Sequence, residues 1–101
     1  MIKTPESSVC IIGLGFVGLT LAAVMAELGV IVYGVEKKKF ILNQLKKKKS
    51  HFFEPKLDSV LKKTINNKKF NFSNKIPNKK NINTYIITVG TPLNSKKKTI
   101  T

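Results

Sequence analysis

The sequence predicts an α/β fold with a parallel sheet of about four strands and helices on both faces. Two observations lead to this fold class. Short apolar runs, at residues 9–12, 30–35 and 85–89, alternate with stretches of helical periodicity. A glycine-rich turn at residues 13–18 joins the first apolar run to the first helical stretch, as in the strand–turn–helix units of parallel sheets. Strands this apolar are typical of a sheet that is covered on both sides.

The turn has the sequence GLGFVG, and its three glycines serve different purposes. Gly13 permits a tight turn, Gly15 lets the main chain approach a phosphate, and Gly18 lets the helix pack closely on the strand. The N-terminus of the next helix offers free N–H groups and a partial positive charge to an anion. The turn therefore predicts the pyrophosphate site of a Rossmann-type dinucleotide fold, the alternative being a glycine turn without a ligand.

The helix after the turn is predicted to end near Gly29 and to bury its large apolar side chains. These side chains share one face at helical spacing: Val17, Leu21, Val24, Met25 and Leu28.

The second apolar run ends at Glu36, 18 residues after Gly18. An acidic residue at this distance, at the end of the second strand, accepts hydrogen bonds from the adenosine ribose hydroxyls. Its negative charge also repels a 2′-phosphate. The sequence therefore predicts NAD, rather than NADP, as the ligand.

Downstream, the pattern predicts a lysine-rich helix over residues 37–49 and a second helix that begins at Pro55. A short strand at residues 70–73, a polar loop at 74–83 and a buried strand at 85–89 follow. The inward-facing side chains predicted for the two helices are Phe40, Ile41, Leu45, Leu57, Val60, Leu61 and Ile65.

This order of elements predicts the strand order 3-2-1-4 with right-handed crossovers. The ligand crevice of such a sheet lies where the strand order reverses, outside the carboxyl ends of the strands. Residues 90–92, GTP, should face the same pocket as the glycine turn, although a plain strand-ending turn also explains them. We expect one partial domain over residues 1–94 and a polar, disordered tail over residues 95–101.

The formal net charge of +14 suggests an anionic partner, but the kind of basic residue argues against nucleic acid. All 19 basic residues are lysine, and the lysine runs contain no interleaved aromatic residues. Nucleic-acid sites favour arginine for bidentate contacts and aromatic rings for stacking. The runs therefore predict a solvated surface, and a lysine-rich polyanion-binding protein remains the alternative from another functional class.

Membrane insertion and catalysis by side chains of this chain are also disfavoured. Residues 7–26 lack charge and could span a bilayer, but three glycines within six residues argue against a continuous helix. Without a targeting segment, a reducing cytoplasm is the expected compartment. The single cysteine, Cys10, is expected to be a buried apolar residue and His51 a packing residue, so no catalytic residue and no metal site are predicted.

Four motifs occur in order along the chain: GLGFVGL at residues 13–19, YGVE at 33–36, FFEPKL at 52–57 and VGTPL at 89–93. Together they resemble the N-terminal domain of the UDP-glucose/GDP-mannose dehydrogenase family. Within that family, they are most similar to the UDP-N-acetylmannosamine type. The resemblance covers nearly the whole chain, from residue 9 to residue 94.

Members of that family use two NAD⁺ to oxidise a sugar-nucleotide alcohol to a carboxylate. The resemblance implies that Phe16 and Val17 contact the cofactor through the glycine turn. It also implies that Glu36 binds the adenosine ribose and that Thr91 lines the dinucleotide site. The chain departs from the family in having Glu36 where Asp is usual and Lys56 where Gly is frequent.

The resemblance further implies that the catalytic cysteine, its assisting residues and the sugar-nucleotide domain of the family lie beyond residue 101. We therefore expect the chain to form the ADP-binding half of an NAD site and to have no dehydrogenase activity alone. It would act on a nucleotide sugar only if the missing downstream part completed the enzyme. A stand-alone dinucleotide-binding or regulatory module is the alternative. The strand at residues 85–89 would then be a sheet edge, which favours self-association.

Overall fold

A computed structural model describes residues 8–78 and 81–88 of the chain. The strands form one parallel sheet in the order β3-β2-β1-β4, which confirms the predicted strand order. The Gly90–Pro92 motif, with Thr91, and the tail at 95–101 lie outside the described residues. The elements are β1 Ser8–Ile12, α1 Phe16–Glu27, β2 Ile31–Val35, α2 Lys39–Lys46, α3 Pro55–Asn66, β3 Phe70–Ser73 and β4 Ile82–Ile87.

The hydrophobic core lies between one face of the sheet and the helices. Val9, Val32 and Phe70 lie side by side in the strand register and project from the same face. All three helices contribute to this one cluster, so the prediction of covering helices is confirmed for this face. Residues 74–78, which follow β3, contain no helix. The helical side chains of the cluster are Leu19, Ala22, Ala23, Ala26, Ile41, Leu45, Leu57 and Leu61.

Helix α1 buries only part of the predicted face: Leu21 and Met25 are partly buried against the core, but the fully buried residues are others. Its buried residues include Gly18, Ala22 and Ala26, whose four-residue spacing forms a stripe of small side chains. In contrast, Val17 is 64% and Leu28 78% exposed, and Val24 is exposed as well. The helix is apolar all round, so periodicity cannot select its buried face. Close packing on the sheet selects the small side chains instead.

Helix α2 is shorter than the predicted 37–49. Before the helix, the Glu36 side chain accepts a hydrogen bond from the Lys38 N–H, at 2.9 Å. After it, Lys48 adopts a left-handed conformation with φ of 62°, which ends the helical path. Ile41 and Leu45 are buried as predicted. Phe40 is exposed, contrary to the prediction.

Helix α3 begins at Pro55, as predicted, and local hydrogen bonds hold its start in place. Glu54 is the N-cap, and its side chain accepts from the Lys56 N–H at 3.3 Å. Both the main-chain N–H and the hydroxyl of Ser50 bind the Asp58 carboxylate, each at 2.8 Å. These bonds fix the loop between α2 and α3 against the start of α3.

Strand β3 coincides with the predicted strand at residues 70–73, but β4 differs in extent and burial. It begins at Ile82, three residues earlier than predicted, and so shortens the predicted polar loop. Within the described part of the chain, β4 pairs only with β1 and forms a sheet edge, as expected from the resemblance. Tyr85 is therefore exposed and Ile87 is 68% exposed, so the prediction of a buried strand was wrong.

The uncharged stretch that could have spanned a bilayer divides into β1, the glycine turn and the 12-residue helix α1. Across residues 8–78 and 81–88, no helix is long and apolar enough to cross a membrane.

Gly34 in β2 makes room for the side chain that leads into the glycine turn. A Cβ at Gly34 would lie 2.8 Å from Leu14 Cδ1 and 3.0 Å from the Phe70 ring. Leu14 and Phe70 are both buried and cannot move into solvent. The glycine thus permits dense packing beneath the start of α1.

We predict that Gly34→Ala lowers the free energy of unfolding by about 1–3 kcal/mol, because the added methyl group overpacks this site. Urea unfolding monitored by circular dichroism measures the change. The matched control is Gly15→Ala, since a Cβ at Gly15 has no heavy atom within 4 Å. Equal losses in the two variants would contradict the packing argument.

Candidate functional site

The first glycine of the turn is required by both its conformation and its surroundings. Gly13 has a φ of 99°, in the left-handed region that side chains disfavour. Its N–H donates to the Val35 carbonyl at 2.8 Å. A Cβ at this position would overlap the main-chain oxygen of Thr88. The turn therefore lies tightly against the carboxyl ends of β2 and β4.

The third glycine lets the first turn of α1 contact the glycine turn directly. A Cβ on Gly18 would overlap the carbonyl oxygen of Gly13 and lie 2.5 Å from Thr88 Oγ1. The predicted close helix–strand packing at Gly18 is thus present in the structure.

Neither the conformation nor the packing of the middle glycine, Gly15, requires a glycine at this position. Gly15 is the N-cap of α1, with φ −72° and ψ −161°, a conformation open to any residue. No heavy atom lies within 4 Å of a Cβ built on it. The open space beside Gly15 is a cradle that a side chain would fill, and its position suits a phosphate that approaches the main chain.

The N-terminus of α1 is free to bind an anion. Its N-cap makes no side-chain hydrogen bond to the helix, and the first turn contains no acidic residue. The first helical bond runs from the Leu19 N–H to the Gly15 carbonyl, at 2.9 Å, which leaves the preceding N–H groups without a helical acceptor. Phe16 and Val17, which open the helix, are both exposed.

Glu36 connects the glycine turn to the start of α2. Its Oε1 accepts from the Leu14 N–H at 2.8 Å, and its Oε2 accepts from the Lys38 N–H at 2.9 Å. Each carboxylate oxygen has a second lone pair for another donor. The half-buried carboxylate therefore orders the turn and retains the capacity to accept from a ribose hydroxyl.

Thr88 joins the end of β4 to the glycine turn, a contact that the sequence pattern did not predict. Its N–H donates to the Ile12 carbonyl at 2.8 Å, and its hydroxyl donates to the Gly13 carbonyl at 2.6 Å. A threonine in an apolar strand resembles any β-branched strand residue, so the sequence contained no signal for this role. The cofactor contact that the family resemblance implies is at Thr91, which lies outside the described residues.

These residues surround a groove of about 350 Å³ at the carboxyl ends of β1, β2 and β4. The strand order reverses at this place, as the topology predicted for a ligand crevice. The groove combines the glycine turn, an acid, two lysines and apolar walls. Its lining includes Gly13, Gly15, Glu36, Lys38, Ile41 and Ile87.

His51 packs among aromatic rings beside this groove. Its ring lies edge-on to Phe52 at 4.9 Å and to Phe40 at 5.8 Å between centroids. Burial lowers the pKa of His51, Glu36 opposes this shift, and Lys38 adds to it. Its Nδ1 is buried without a hydrogen-bond partner among the described residues. These contacts agree with the predicted packing role.

Cys10 is fully buried in β1, and burial raises the pKa of its thiol. A neutral buried thiol is a poor nucleophile, in agreement with its predicted role as an apolar residue. Among residues 8–78 and 81–88, no group of three His, Cys, Asp or Glu side chains could hold a metal ion.

Comparison with known proteins identifies relatives of this chain by sequence. Residues 7–100 match the NAD binding domain of the UDP-glucose/GDP-mannose dehydrogenase family. A UDP-N-acetyl-D-mannosamine dehydrogenase of Methanococcus vannielii is 36% identical over 90 residues, which are 89% of this chain and 20% of the relative. A UDP-glucose 6-dehydrogenase of Rickettsia typhi is 34% identical over 86 residues, which are 84% of this chain and 20% of that protein.

Solved structures have the same fold. The UDP-N-acetyl-mannosamine dehydrogenase of Staphylococcus aureus superposes with a TM-score of 0.77 at 28% identity, covering 88% of this chain and 21% of that one. The chain thus spans about a fifth of the length of the relatives that it matches. The glycine turn, the strand order and the match over residues 7–100 agree. This chain therefore belongs to the UDP-glucose/GDP-mannose dehydrogenase family, and it corresponds to the NAD-binding domain of that family.

Proposed function

We propose that this chain binds NAD through the ADP half of the cofactor, as the cofactor-binding part of a nucleotide-sugar 6-dehydrogenase. The observation that carries the proposal is the open space at Gly15, where neither conformation nor packing requires a glycine. When neither conformation nor packing requires a glycine at the N-terminus of a helix, a ligand that closely approaches the main chain explains its presence.

Each part of the ADP half of the cofactor has a matching group at the groove. The pyrophosphate would accept hydrogen bonds from the main-chain N–H groups of residues 15–18, which include those of Phe16 and Val17. The adenosine ribose would donate hydroxyl hydrogens to Glu36, which remains within the groove after binding the turn. Ile41 and Ile87 would form apolar walls for the adenine. By the resemblance to the family, Thr91 would contact the same dinucleotide.

When bound, NAD⁺ supplies a hydride acceptor for the oxidation of an alcohol. The chain's own residues bind and orient the ADP half, and none provides a nucleophile for the family's reaction. Cys10 is the only thiol in the sequence, and it is buried in β1. We therefore propose that the chain alone does not oxidise nucleotide sugars, and that a sugar nucleotide becomes its substrate only together with a catalytic part.

We also propose that the chain alone self-associates through β4. Within the described residues, this strand pairs on one side only, and its Tyr85 and Ile87 side chains are exposed. An exposed apolar edge strand is a template for pairing with another chain.

The first prediction from this proposed function concerns Gly15. Gly15→Ala should weaken NAD binding at least about tenfold, because the methyl group occupies the space of the phosphate, and should leave the free energy of unfolding unchanged. Calorimetric titration with NAD and urea unfolding measure the two quantities. The absence of measurable heat from the unmodified chain at millimolar NAD would overturn the proposal itself.

Gly29→Ala serves as the matched control. Gly29 has a φ of 99° at the end of α1, far along the helix from the turn, and a Cβ there has no neighbour within 4 Å. This variant should lose about 1–2 kcal/mol of stability through backbone strain and keep its affinity for NAD. A loss of affinity in both variants would show that Gly15→Ala acts through stability.

A second prediction concerns the choice between NAD and NADP. Glu36→Gln retains one acceptor oxygen but removes the charge that repels a 2′-phosphate, so the ratio of NAD to NADP affinity should fall about tenfold. Parallel calorimetric titrations with the two cofactors measure the ratio. Glu54→Gln, which changes the same charge at the start of α3, should leave the ratio unchanged. An unaltered ratio in Glu36→Gln would exclude a discriminating role for this acid.

A third prediction concerns the sheet edge. Tyr85→Lys should shift the chain towards monomer, because a charge on an edge strand opposes pairing. Sedimentation velocity across a wide range of protein concentrations measures the association. Asn66→Lys adds the same charge on α3 and should not change it. A monodisperse monomer before any substitution would contradict the proposed edge pairing.

A further inference from the structure

We propose that Thr88 is a positioning residue for the dinucleotide. Its hydroxyl holds the glycine turn in the conformation that keeps the space beside Gly15 open. The inference rests on the proposed binding of NAD and adds a residue outside the glycine motif to the site.

The hydrogen bonds assign the hydroxyl proton of Thr88 to the Gly13 carbonyl. Thr88 Oγ1 lies 2.6 Å from the Gly13 oxygen and 3.4 Å from the Ile12 oxygen. A hydroxyl has one proton to donate, and the shorter distance is the stronger hydrogen bond. The Ile12 oxygen already accepts from the Thr88 N–H at 2.8 Å. One residue therefore satisfies two successive carbonyl groups at the point where β1 becomes the turn.

The orientation of the Gly13 carbonyl is what Thr88 controls. This oxygen accepts from the Thr88 hydroxyl and lies so close to Gly18 that a Cβ there would overlap it. The space beside Gly15, in contrast, is free of heavy atoms to 4 Å. When the Thr88 hydroxyl is present, the Gly13 carbonyl oxygen points at this donor. Its partial negative charge then points away from the space beside Gly15 where the phosphate would bind. Without the hydroxyl, a part-buried carbonyl loses its partner and gains by turning towards another donor or solvent.

The same contact makes the anion site dependent on a distant part of the chain. Thr88 and Gly13 are 75 residues apart in sequence. Thr88 directly follows β4, the edge strand, whose place beside β1 is set by parallel pairing from Val9 to Ile12. The glycine motif is local in sequence, but the bond that orders its first carbonyl requires β4 to be paired.

Calorimetric titration with NAD of three single variants tests the proposal. Thr88→Val keeps the branched shape and removes the hydroxyl, so we expect NAD binding to weaken about tenfold. Thr88→Ser keeps the hydroxyl and removes a methyl group, so its affinity should stay within about twofold of the unmodified chain. Thr84→Val, at an exposed position of β4, makes the same chemical change away from the turn and should have no effect.

Urea unfolding of each variant gives the folded fraction by which its affinity is corrected. If the corrected affinity of Thr88→Val equals that of the unmodified chain, or if Thr88→Ser weakens binding as strongly as Thr88→Val, the hydroxyl does not position the turn and the inference is overturned. If the unmodified chain itself binds no NAD, the proposed function fails instead. Binding by the unmodified chain, loss in Thr88→Val and rescue in Thr88→Ser together support the inference.

Discussion

The close approach of α1 to the end of β1 is the constraint on which the rest of the structure depends. At this junction the Gly13 carbonyl lies against Gly18, so the helix starts directly on the turn. The approach continues along α1 through the small residues Ala22 and Ala26, which rest on the sheet. It is what brings free main-chain N–H groups to the carboxyl edge of the sheet, where the groove lies.

The same constraint explains where the large apolar side chains of α1 lie. Leu19 is buried in the core with the small residues, and the other bulky side chains of α1 lie at the margin or in solvent. Phe16 is exposed and its ring packs at a tilt of 50° against Phe52, with 4.9 Å between ring centroids, while Val24 lines a second, apolar groove between α1 and α3. Tight packing at the turn is thus accompanied by an exposed apolar surface on the outer side of the helix.

Three of the five acidic residues of this basic chain accept hydrogen bonds from main-chain N–H groups. The sequence contains 19 lysines and five acids. Glu36 binds two N–H groups around the turn, Glu54 caps α3, and Asp58 binds Ser50 in the preceding loop. Glu36 therefore orders the glycine turn, and Glu54 and Asp58 order the start of α3, while Glu27 pairs with Lys63 on the surface.

The sequence by itself determined the strand order, the position of the glycine turn and the acid at the end of β2, because these follow from local patterns and from the handedness of crossovers. It could not determine which face α1 buries, since every face of that helix is apolar. It also could not determine that β4 starts at Ile82 or that Thr88 binds Gly13. Only the tertiary structure decided these features, because each depends on pairing or packing between segments far apart in the chain.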